Sequence, residues 1–256
     1  MPQVMDVHEN RRSPRVAAQG ASVLPPGADE RIAGSGVMGL AFESGDYFSL
    51  RCMTPSFGDP YTAVWHRNPD EEWVVYTTTA PELSCERYIG AACAHPSVRT
   101  PIDVEWLDDW TLRVSVPGIL EWTVALTTTP LTRAMSAAGR LMPHGMWVNR
   151  AVLAWMGRMA GPALGVGKVR LSGVMPNRQR FTAAPVEIWK VVESRATILD
   201  RDAGAPKPLP RQTRLGGFWL PQRGIFMCGF GHFENFDPER HVSAAAHNRE
   251  LLTRTV

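Results

Sequence analysis

The stretch Leu131–Gly165, LTRAMSAAGRLMPHGMWVNRAVLAWMGRMAGPALG, differs from the rest of the chain. It contains four arginines, five methionines and two tryptophans, and it has no acidic residue. Its apolar residues recur at intervals of three and four, which is the period of an amphipathic helix. The segments on both sides instead alternate apolar and polar residues, as β-strands do. The stretch therefore predicts a helical insertion within a β protein.

Two short helices are predicted within residues 131–161. Pro143 and Gly145 interrupt the helical pattern, because proline lacks an N–H and clashes with the preceding turn. Gly161-Pro162 is predicted to end the second helix. The apolar face of the first helix consists of Leu131, Ala134, Met135, Ala138, Leu141 and Met142, and that of the second consists of Val148, Ala151, Val152, Trp155, Met156 and Met159.

The charged residues in and around the insertion are all basic. No Asp or Glu occurs between Glu121 and Glu187, whereas the interval holds eight Lys and Arg residues. The whole chain carries a net charge of +2, so by subtraction the remainder carries −6. Three interpretations stay open: helices packed on a sheet with solvated arginines, a basic surface that contacts anionic lipid, or a lid whose methionines face an apolar ligand. The arginines that would face lipid are Arg133, Arg140, Arg150 and Arg158.

Composition places the chain among ordinary globular proteins. It has 256 residues, 44% of them hydrophobic and 20% charged, which is enough for a sizeable core. No basic run is interleaved with aromatic residues, so a nucleic-acid partner is not expected. The amino terminus lacks the apolar segment of a secretory signal, and no run of about 20 apolar residues occurs. We expect a cytoplasmic protein, with peripheral membrane association as an option.

The cysteines and nucleotide motifs indicate no cofactor. Cys85 and Cys93 are close enough in sequence to pair, although buried thiols are the simpler expectation, and no Cys/His set has zinc spacing. The patterns G-x-G-x-x-G, G-x-S-x-G and the P-loop are missing. We therefore assign neither a cofactor nor a metal site.

Alternating segments outside the insertion predict nine or ten antiparallel strands. The clearest are 103–107, 110–116 and 122–127, which form a meander with turns at Asp108-Asp109 and Pro117-Gly118. So many strands avoid exposed edges most simply by closing, or nearly closing, into a barrel that can hold one small ligand. The predicted organisation is a flexible tail (1–36), one barrel domain (37–235) with the insertion 131–161, and a tail or short helix (236–256).

The tryptophan-bearing meander supports a resemblance to a known family. Glu105-Trp106, Asp109-Trp110, Glu121-Trp122 and the run Gly217–Gly224 (GFWLPQRG) resemble the lipocalin-like (calycin) β-barrels of the carotenoid hydratase, or hydroxyneurosporene synthase, type. The turn Pro176-Asn177-Arg178-Gln179 is similar to one in uncharacterised actinobacterial proteins. The resemblance, over roughly residues 47–234, implies a mainly β, antiparallel lipocalin-like barrel. The chain is shorter than that family, and no catalytic residue is carried over.

Four residues are candidates for proton transfer. His66 lies on an early strand and could serve as a general base. Glu105, between Val104 and Trp106, could point into a cavity. His232 and Glu234 are two positions apart on a strand, so they share one side and could form an acid–base pair or, with Asp237 and His241, a metal site. Structural histidines and solvated carboxylates are the competing explanations for all four.

The predicted function is the binding of an apolar molecule such as an isoprenoid, steroid or polyketide. Cofactor-free hydration, cyclisation or isomerisation could follow, since aromatic faces stabilise a developing carbocation. A non-catalytic lipid carrier or membrane-surface protein is the alternative, and a β-sandwich with a filled core and only an interaction role is a third. An acid or histidine facing the cavity would favour an enzyme, and an apolar wall would favour a carrier. The predicted ligand-binding residues are Trp65, Trp122, His144, Met146, Trp147, Asn149, Trp155 and Trp219.

Overall fold

The computed structural model describes residues 12–254, which form a mainly β structure with helices on one side. The strands are β1 (Glu30–Val37), β2 (Leu40–Ala41), β3 (Tyr47–Pro55), β4 (Tyr61–Arg67), β5 (Trp73–Thr77), β6 (Val98–Arg99), β7 (Asp103–Trp106), β8 (Thr111–Val116), β9 (Leu120–Thr127), β10 (Ser172–Val174), β11 (Arg180–Ile198), β12 (Arg201–Asp202), β13 (Arg214–Leu215), β14 (Phe218–Trp219) and β15 (Ile225–Phe233). The helices are α1 (Pro14–Gln19), α2 (Glu86–Ile89), α3 (Pro130–Leu141), α4 (His144–Val148), α5 (Arg150–Leu164) and α6 (Ala244–Arg254). Two short 3₁₀ helices, Pro81–Leu83 and Gly90–Ala92, flank α2.

Thirteen strands belong to one sheet, in the order β6-β5-β4-β3-β1-β15-β11-β9-β8-β7. The short strands β2, β10 and β12 pair beside this path, and β13 and β14 form a separate hairpin. Pairing is antiparallel except between β5 and β6, which run parallel, so the expectation of a purely antiparallel sheet is wrong in this detail. A parallel pair is possible here because 20 residues of chain, with short helices, cross over between Thr77 and Val98.

The sheet is curled, and the curl encloses a filled core. Phe48 of β3 lies 5.9 Å from Trp122 of β9 between ring centroids, although three strands separate β3 from β9 in the sheet order. Trp106 of β7 meets Phe226 of β15 at 5.7 Å in the same way. We call the enclosed side the concave face and the other side the convex face. The prediction of a barrel-like β fold is confirmed at this level, as a half-barrel whose outermost described strands, β6 and β7, do not pair with each other.

The predicted meander is confirmed as β7, β8 and β9. In β9 every second side chain is buried, and Trp122 is fully enclosed with its indole N–H donating to Ser194 Oγ at 2.9 Å. The alternation follows from the period of two in a strand, which directs odd and even positions to opposite faces. The longest strand, β11, spans 19 residues and contains register shifts near Pro185 and Val191.

The predicted two-helix insertion consists of three helices. Pro143 does end the first helix, but the predicted junction folds into the short helix α4, and α5 then starts at Arg150. Asn149 caps α5, because its side-chain oxygen accepts hydrogen bonds from the N–H groups of Ala151 and Val152. Pro162 lies inside the last turn of α5, and Gly165 ends the helix in the left-handed conformation at φ 67°.

The ends of the chain are more structured than predicted. Helix α1 and most of β1 lie within residues 12–36, and β1 is a central strand that pairs with both β3 and β15. The proposed boundary at residue 37 therefore falls at the end of a strand, while residues 1–11 of the predicted tail lie outside the described residues. Helix α6 occupies most of the predicted C-terminal segment.

All four cysteines are free thiols, so Cys85 and Cys93 do not pair. Within residues 12–254 no helix has the length and apolar character needed to cross a bilayer.

Candidate functional site

A cavity of about 510 Å³ lies between the convex face and helices α3, α4 and α5. Its floor is formed by β1, β3, β4, β11 and β15, and one side is closed by α2 and the β13–β14 hairpin. The volume lies within the range of about 300–1,000 Å³ that is usual for small-molecule sites. The cavity is therefore outside the curl of the sheet, whereas a barrel would hold a ligand inside it.

Methionines form much of the cavity wall on both sides. The helices contribute Met135, Met142, Met156 and Met159. The opposite side contributes Met38, Met53, Met175 and Met227. Because methionine is unbranched and polarisable, such a wall adapts to apolar ligands of irregular shape.

Four tryptophans complete the wall. Trp147 is buried against Phe230, with ring centroids 6.4 Å apart, and Trp65 lies on the floor. Trp219 belongs to the hairpin, whereas Trp155 of α5 is 64% exposed at the mouth of the cavity. All four are among the predicted ligand-binding residues, and the structure brings them to one cavity.

Glycines of α3 and α5 lie in close contact with neighbouring backbone, which belongs to the sheet in the case of α3 and to the segment after α5 in the other case. At Gly139 of α3, an added Cβ would lie 2.2 Å from the carbonyl oxygen of Val186 in β11. At Gly161 of α5, it would lie 2.2 Å from the carbonyl oxygen of Gly167. Ser136 also accepts a hydrogen bond from the N–H of Ile188 at 3.0 Å. The sheet contact of α3 thus uses Thr132, Ser136 and Gly139, which leaves the apolar side chains of Leu131, Met135, Ala138 and Met142 for the cavity.

Arg51 is the charged side chain at the floor of the cavity. It projects from the convex side of β3, is only 4% exposed and lies 4.3 Å above the Trp65 ring. Its Nη1 donates to the carbonyl oxygens of Val37 (2.8 Å) and Leu50 (2.9 Å), and Nη2 donates to that of Met38 (3.3 Å). Burial lowers the pKa of Arg51, yet a guanidinium stays protonated in proteins. No carboxylate in the described part of the chain pairs with it.

The rest of the described wall has few proton-transfer groups, and one of them, the hydroxyl of Tyr88, donates to Glu30 at 3.0 Å. Among the described residues, no Asp, Glu or His lines the cavity, and the second cation, Arg170, is exposed. Cys85 lines it as well, but burial raises the pKa of its thiol to about 11, and Trp65 donates to its sulfur at 2.9 Å. A thiol with a raised pKa is a poor nucleophile near neutral pH. The wall can bind an apolar molecule but offers little for acid–base chemistry.

The remaining predicted ligand-binding residues lie elsewhere. Trp122 is buried in the concave core, because its strand position directs it away from the helices. Asn149 caps α5, and Met146 is exposed on α4. His144 is outside the cavity wall, although it packs on Phe230, which belongs to that wall.

His232 and His144 form the nearest histidine pair. Their ring centroids are 5.2 Å apart. The Nδ1 of His232 is 3.0 Å from Asp29 Oδ2, and its Nε2 is buried without a hydrogen-bond partner among residues 12–254. An Asp–His pair of this kind can orient a general base. Neither ring is part of the cavity wall, so the pair has no access to a ligand there.

His66 belongs to the concave side. Its Nε2 is 2.8 Å from Oδ1 of Asp46, which is fully buried and also accepts from Arg201 at 2.8 Å. Burial raises the pKa of Asp46, but hydrogen bonds from His66, Ser44 and Arg201, together with the charge of His66, outweigh it and lower the pKa to about 2. The His66 ring stacks on Phe48 at 5.0 Å. This arrangement joins strands and has no contact with the cavity.

The two predicted catalytic glutamates are in ion pairs. Glu105 pairs with Arg113 across β7 and β8, and both side chains are about half exposed. Glu234 lies just beyond β15 and pairs with Arg240 at 2.6 Å, which holds the pKa of Glu234 below its usual range. It therefore does not join His232, which pairs with Asp29 instead. No group of three or more His, Cys, Asp or Glu within the described range is arranged to hold a metal ion.

The outer surface of the three helices is both basic and apolar. Arg133, Arg150 and Arg158 are exposed and pair with no acidic group in residues 12–254, whereas Arg140 pairs with Glu187 at 2.7 Å. Large apolar side chains are exposed between them, and Leu141 is 84% exposed. The others are Leu131, Met146, Val148, Trp155 and Met159.

Arg51 was not among the predicted site residues. The signal in the sequence is an arginine in the middle of a strand, YFSLRCMTP, that is apolar on both faces. A cation in such a strand must be buried, and burial of a charge is costly unless the charge is paired.

Comparison with known proteins identifies no relative: no protein-family model, no curated protein and no solved structure matches the chain.

Proposed function

We propose that this protein binds an apolar small molecule in the cavity beneath α3, α4 and α5, and that it acts as a carrier. The observation that carries this proposal is the wall itself, which combines eight methionines and four tryptophans with no described carboxylate or histidine. Burial of a ligand there would remove apolar surface from water on both partners. We further propose that the fold is a lipocalin-like variant whose ligand site has moved from the interior of the barrel to its convex face.

Non-catalytic binding is preferred to cofactor-free hydration, cyclisation or isomerisation. These reactions need a proton donor or acceptor within hydrogen-bond reach of the ligand. The candidates His66, Glu105, His232 and Glu234 all have partners away from the cavity wall.

Titration with N-phenyl-1-naphthylamine, an uncharged fluorophore, tests the proposal. We expect saturable binding with a strong increase in emission, and we expect Ala160→Phe to weaken it at least fivefold, because Ala160 lines the cavity. Ala154→Phe is the matched control, since Ala154 is exposed on the same helix and does not line the cavity. Equal binding by both variants would place the fluorophore elsewhere and reject the proposal.

The natural ligand can be sought directly. Organic extraction of protein purified from its native host, followed by mass spectrometry, is expected to release one apolar compound in near-stoichiometric amount. If gently purified protein that binds the fluorophore yields none, the role of a carrier loaded in the cell is wrong.

A second proposal concerns the outer surface of the helices, which we propose contacts anionic lipid. Its support is the combination of three arginines that pair with no acidic group among residues 12–254 with exposed apolar side chains on elements that also cover the cavity. Such a surface combines electrostatic attraction with shallow apolar insertion. A carrier that docks through its lid could exchange ligand with a bilayer.

Vesicle co-sedimentation tests this second proposal. We expect binding to phosphatidylserine-containing vesicles, and a more than tenfold loss in the triple variant Arg133→Glu/Arg150→Glu/Arg158→Glu, at about 1 kcal/mol for each basic residue near the surface. The control with the same change in charge is Arg99→Glu/Arg195→Glu/Arg249→Glu, because these arginines are exposed outside the three helices. Equal losses of vesicle binding in both variants would show a nonspecific effect of charge and would reject the proposed lipid-contacting surface.

A further inference from the structure

We propose that Arg51 binds the carboxylate of an amphipathic ligand whose apolar tail occupies the methionine-lined cavity. This inference rests on the proposed function, because it assigns the chemical class of ligand to the same cavity. A long-chain fatty acid is the simplest molecule of this class.

The first argument is that the charge of Arg51 is buried without a counter-ion. Two other arginines with little exposure have counter-ions: Arg67 contacts Glu71 at 2.8 Å, and Arg87 contacts Glu30 at 2.6 Å. Arg51 has only backbone carbonyls and the Trp65 ring as partners within residues 12–254. A buried charge is unfavourable unless it is paired and hydrogen-bonded, so a ligand anion would complete this site.

The second argument is the number of donors that remain. A guanidinium has five N–H groups, two on each Nη and one on Nε. The described contacts use both hydrogens of Nη1 and one of Nη2. One Nη2 hydrogen and the Nε hydrogen are left, which is the number that a carboxylate accepts in a bidentate pair. The carbonyl bonds and the Trp65 ring hold the guanidinium in place, so little side-chain entropy would be lost on binding.

The third argument concerns charge and polarity. One buried guanidinium neutralises one negative charge, and the exposed Arg170 is the second cation of the described wall. A carboxylate carries a single charge, whereas a phosphate monoester carries nearly two at neutral pH. Beyond Arg51 the wall is apolar, which suits an unbranched or branched hydrocarbon tail. The floor and helices thus provide a polar end and an apolar body for one molecule.

The assignment of a ligand carboxylate to Arg51 can be tested by displacing bound N-phenyl-1-naphthylamine from the unmodified protein at pH 8. The competitors are tetradecanoate, its methyl ester and tetradecyl phosphate. We expect the carboxylate to bind at least tenfold more tightly than the ester, since hydrogen bonds to a charged group are worth that much, and more tightly than the phosphate. Equal binding of acid and ester would overturn the role of Arg51 and leave the carrier proposal intact. Tighter binding of the phosphate would overturn the carboxylate assignment, and failure of the fluorophore itself to bind would reject the proposed function.

Two variants test the residue. Arg51→Met is expected to abolish the preference for the acid over the ester, and Arg51→Lys is expected to keep part of that preference. Arg113→Met is the control, because Arg113 is exposed on β8, which is five strands away from β3 in the sheet. An undiminished acid preference in Arg51→Met would reject the assignment. Should Arg51→Met fail to fold because three carbonyl oxygens lose a donor, two results decide the question: the acid-to-ester ratio in the unmodified protein and the same ratio in Arg51→Lys.

Discussion

The concave and convex faces of the sheet are both apolar, but they are filled differently. On the concave side, side chains of strands far apart in the sheet order meet directly, and Phe48, Val114 and Trp122 are completely enclosed. On the convex side, α3 rests on the sheet through small residues, and a cavity of about 510 Å³ remains between the helices and the sheet. Aromatic residues occur on both faces, but the cavity wall on the convex side adds eight methionines.

This difference separates stability from binding on a single sheet. Close packing stabilises because each enclosed side chain has contacts on all sides. A cavity wall lacks partners on one side, so its residues contribute less to folding and are available to a ligand. Changes on the concave face should therefore act mainly on unfolding, and changes on the convex face mainly on binding.

The largest effect is expected from Trp122→Ala in the concave core. Removing a fully enclosed indole leaves a cavity and a Ser194 hydroxyl without its donor, which should lower the free energy of unfolding by about 3–5 kcal/mol. Urea unfolding followed by circular dichroism measures this. Trp155→Ala, at the exposed mouth, is the matched control and should cost less than about 1 kcal/mol. Similar losses for both tryptophans would contradict the contrast between the two faces.

A smaller, pH-dependent effect is expected from Asp46→Asn, beside the concave core. The pKa of Asp46 in the folded protein, about 2, is below its ordinary value of 3.8, so the ionised form stabilises the fold above pH 4. This stabilisation, at most about 2 kcal/mol, is lost as the pH falls from about 4 toward 2. The unmodified protein should thus lose more stability over this interval than Asp46→Asn.

Denaturant titrations at several pH values test this prediction, and Glu105→Gln serves as the control. Glu105 is in an exposed ion pair, so its replacement should change stability by less than about 1 kcal/mol. The buried pairing of Asp46 would be disproved if its variant showed the same acid-induced loss as the unmodified protein.

The smallest effect on folding is expected from Met156→Ala on the cavity wall. A fully buried methionine replaced by alanine costs about 2–5 kcal/mol, but Met156 already borders empty space and should cost less than about 2 kcal/mol. Binding of N-phenyl-1-naphthylamine should nevertheless change severalfold. An unfolding loss as large as that of Trp122→Ala, with unchanged binding, would show that the wall is ordinary core.

The sequence predicts parts of this fold for identifiable reasons. In β8 and β9 one face is buried and the other faces solvent. Apolar and polar residues therefore alternate strictly, and this pattern predicts both strands and their turns. In β3 and β11 both faces contact protein, so alternation disappears, and it gives no indication of which face adjoins a cavity. The pairing of Glu30 with Phe233 joins positions 203 residues apart, and long-range packing rather than local pattern decides it.

Part of the candidate site can be predicted from the sequence for the same reasons. A lid over a cavity is one of the three interpretations that the methionine-rich helices allow, and Trp147 and Trp155 are the tryptophans of this region. Trp122 could not be distinguished from them by residue type, because only the curl of the sheet places it on the other side. His66, Glu105, His232 and Glu234 were chosen for their chemistry, and their ion-pair partners Asp46, Arg113, Asp29 and Arg240 become apparent only in three dimensions.

The close contacts of Gly139 and Gly161 with backbone also determine how selective the site can be. Because α3 rests directly on β11 at Gly139 and α5 rests on its own following segment at Gly161, neither helix can move closer to these neighbours when a small ligand is bound. Adaptation is left to the methionine side chains, each with three rotatable bonds. Such a site is expected to be permissive toward the length and branching of a tail, so that a mixed pool of lipids with one kind of head could be carried by the same protein.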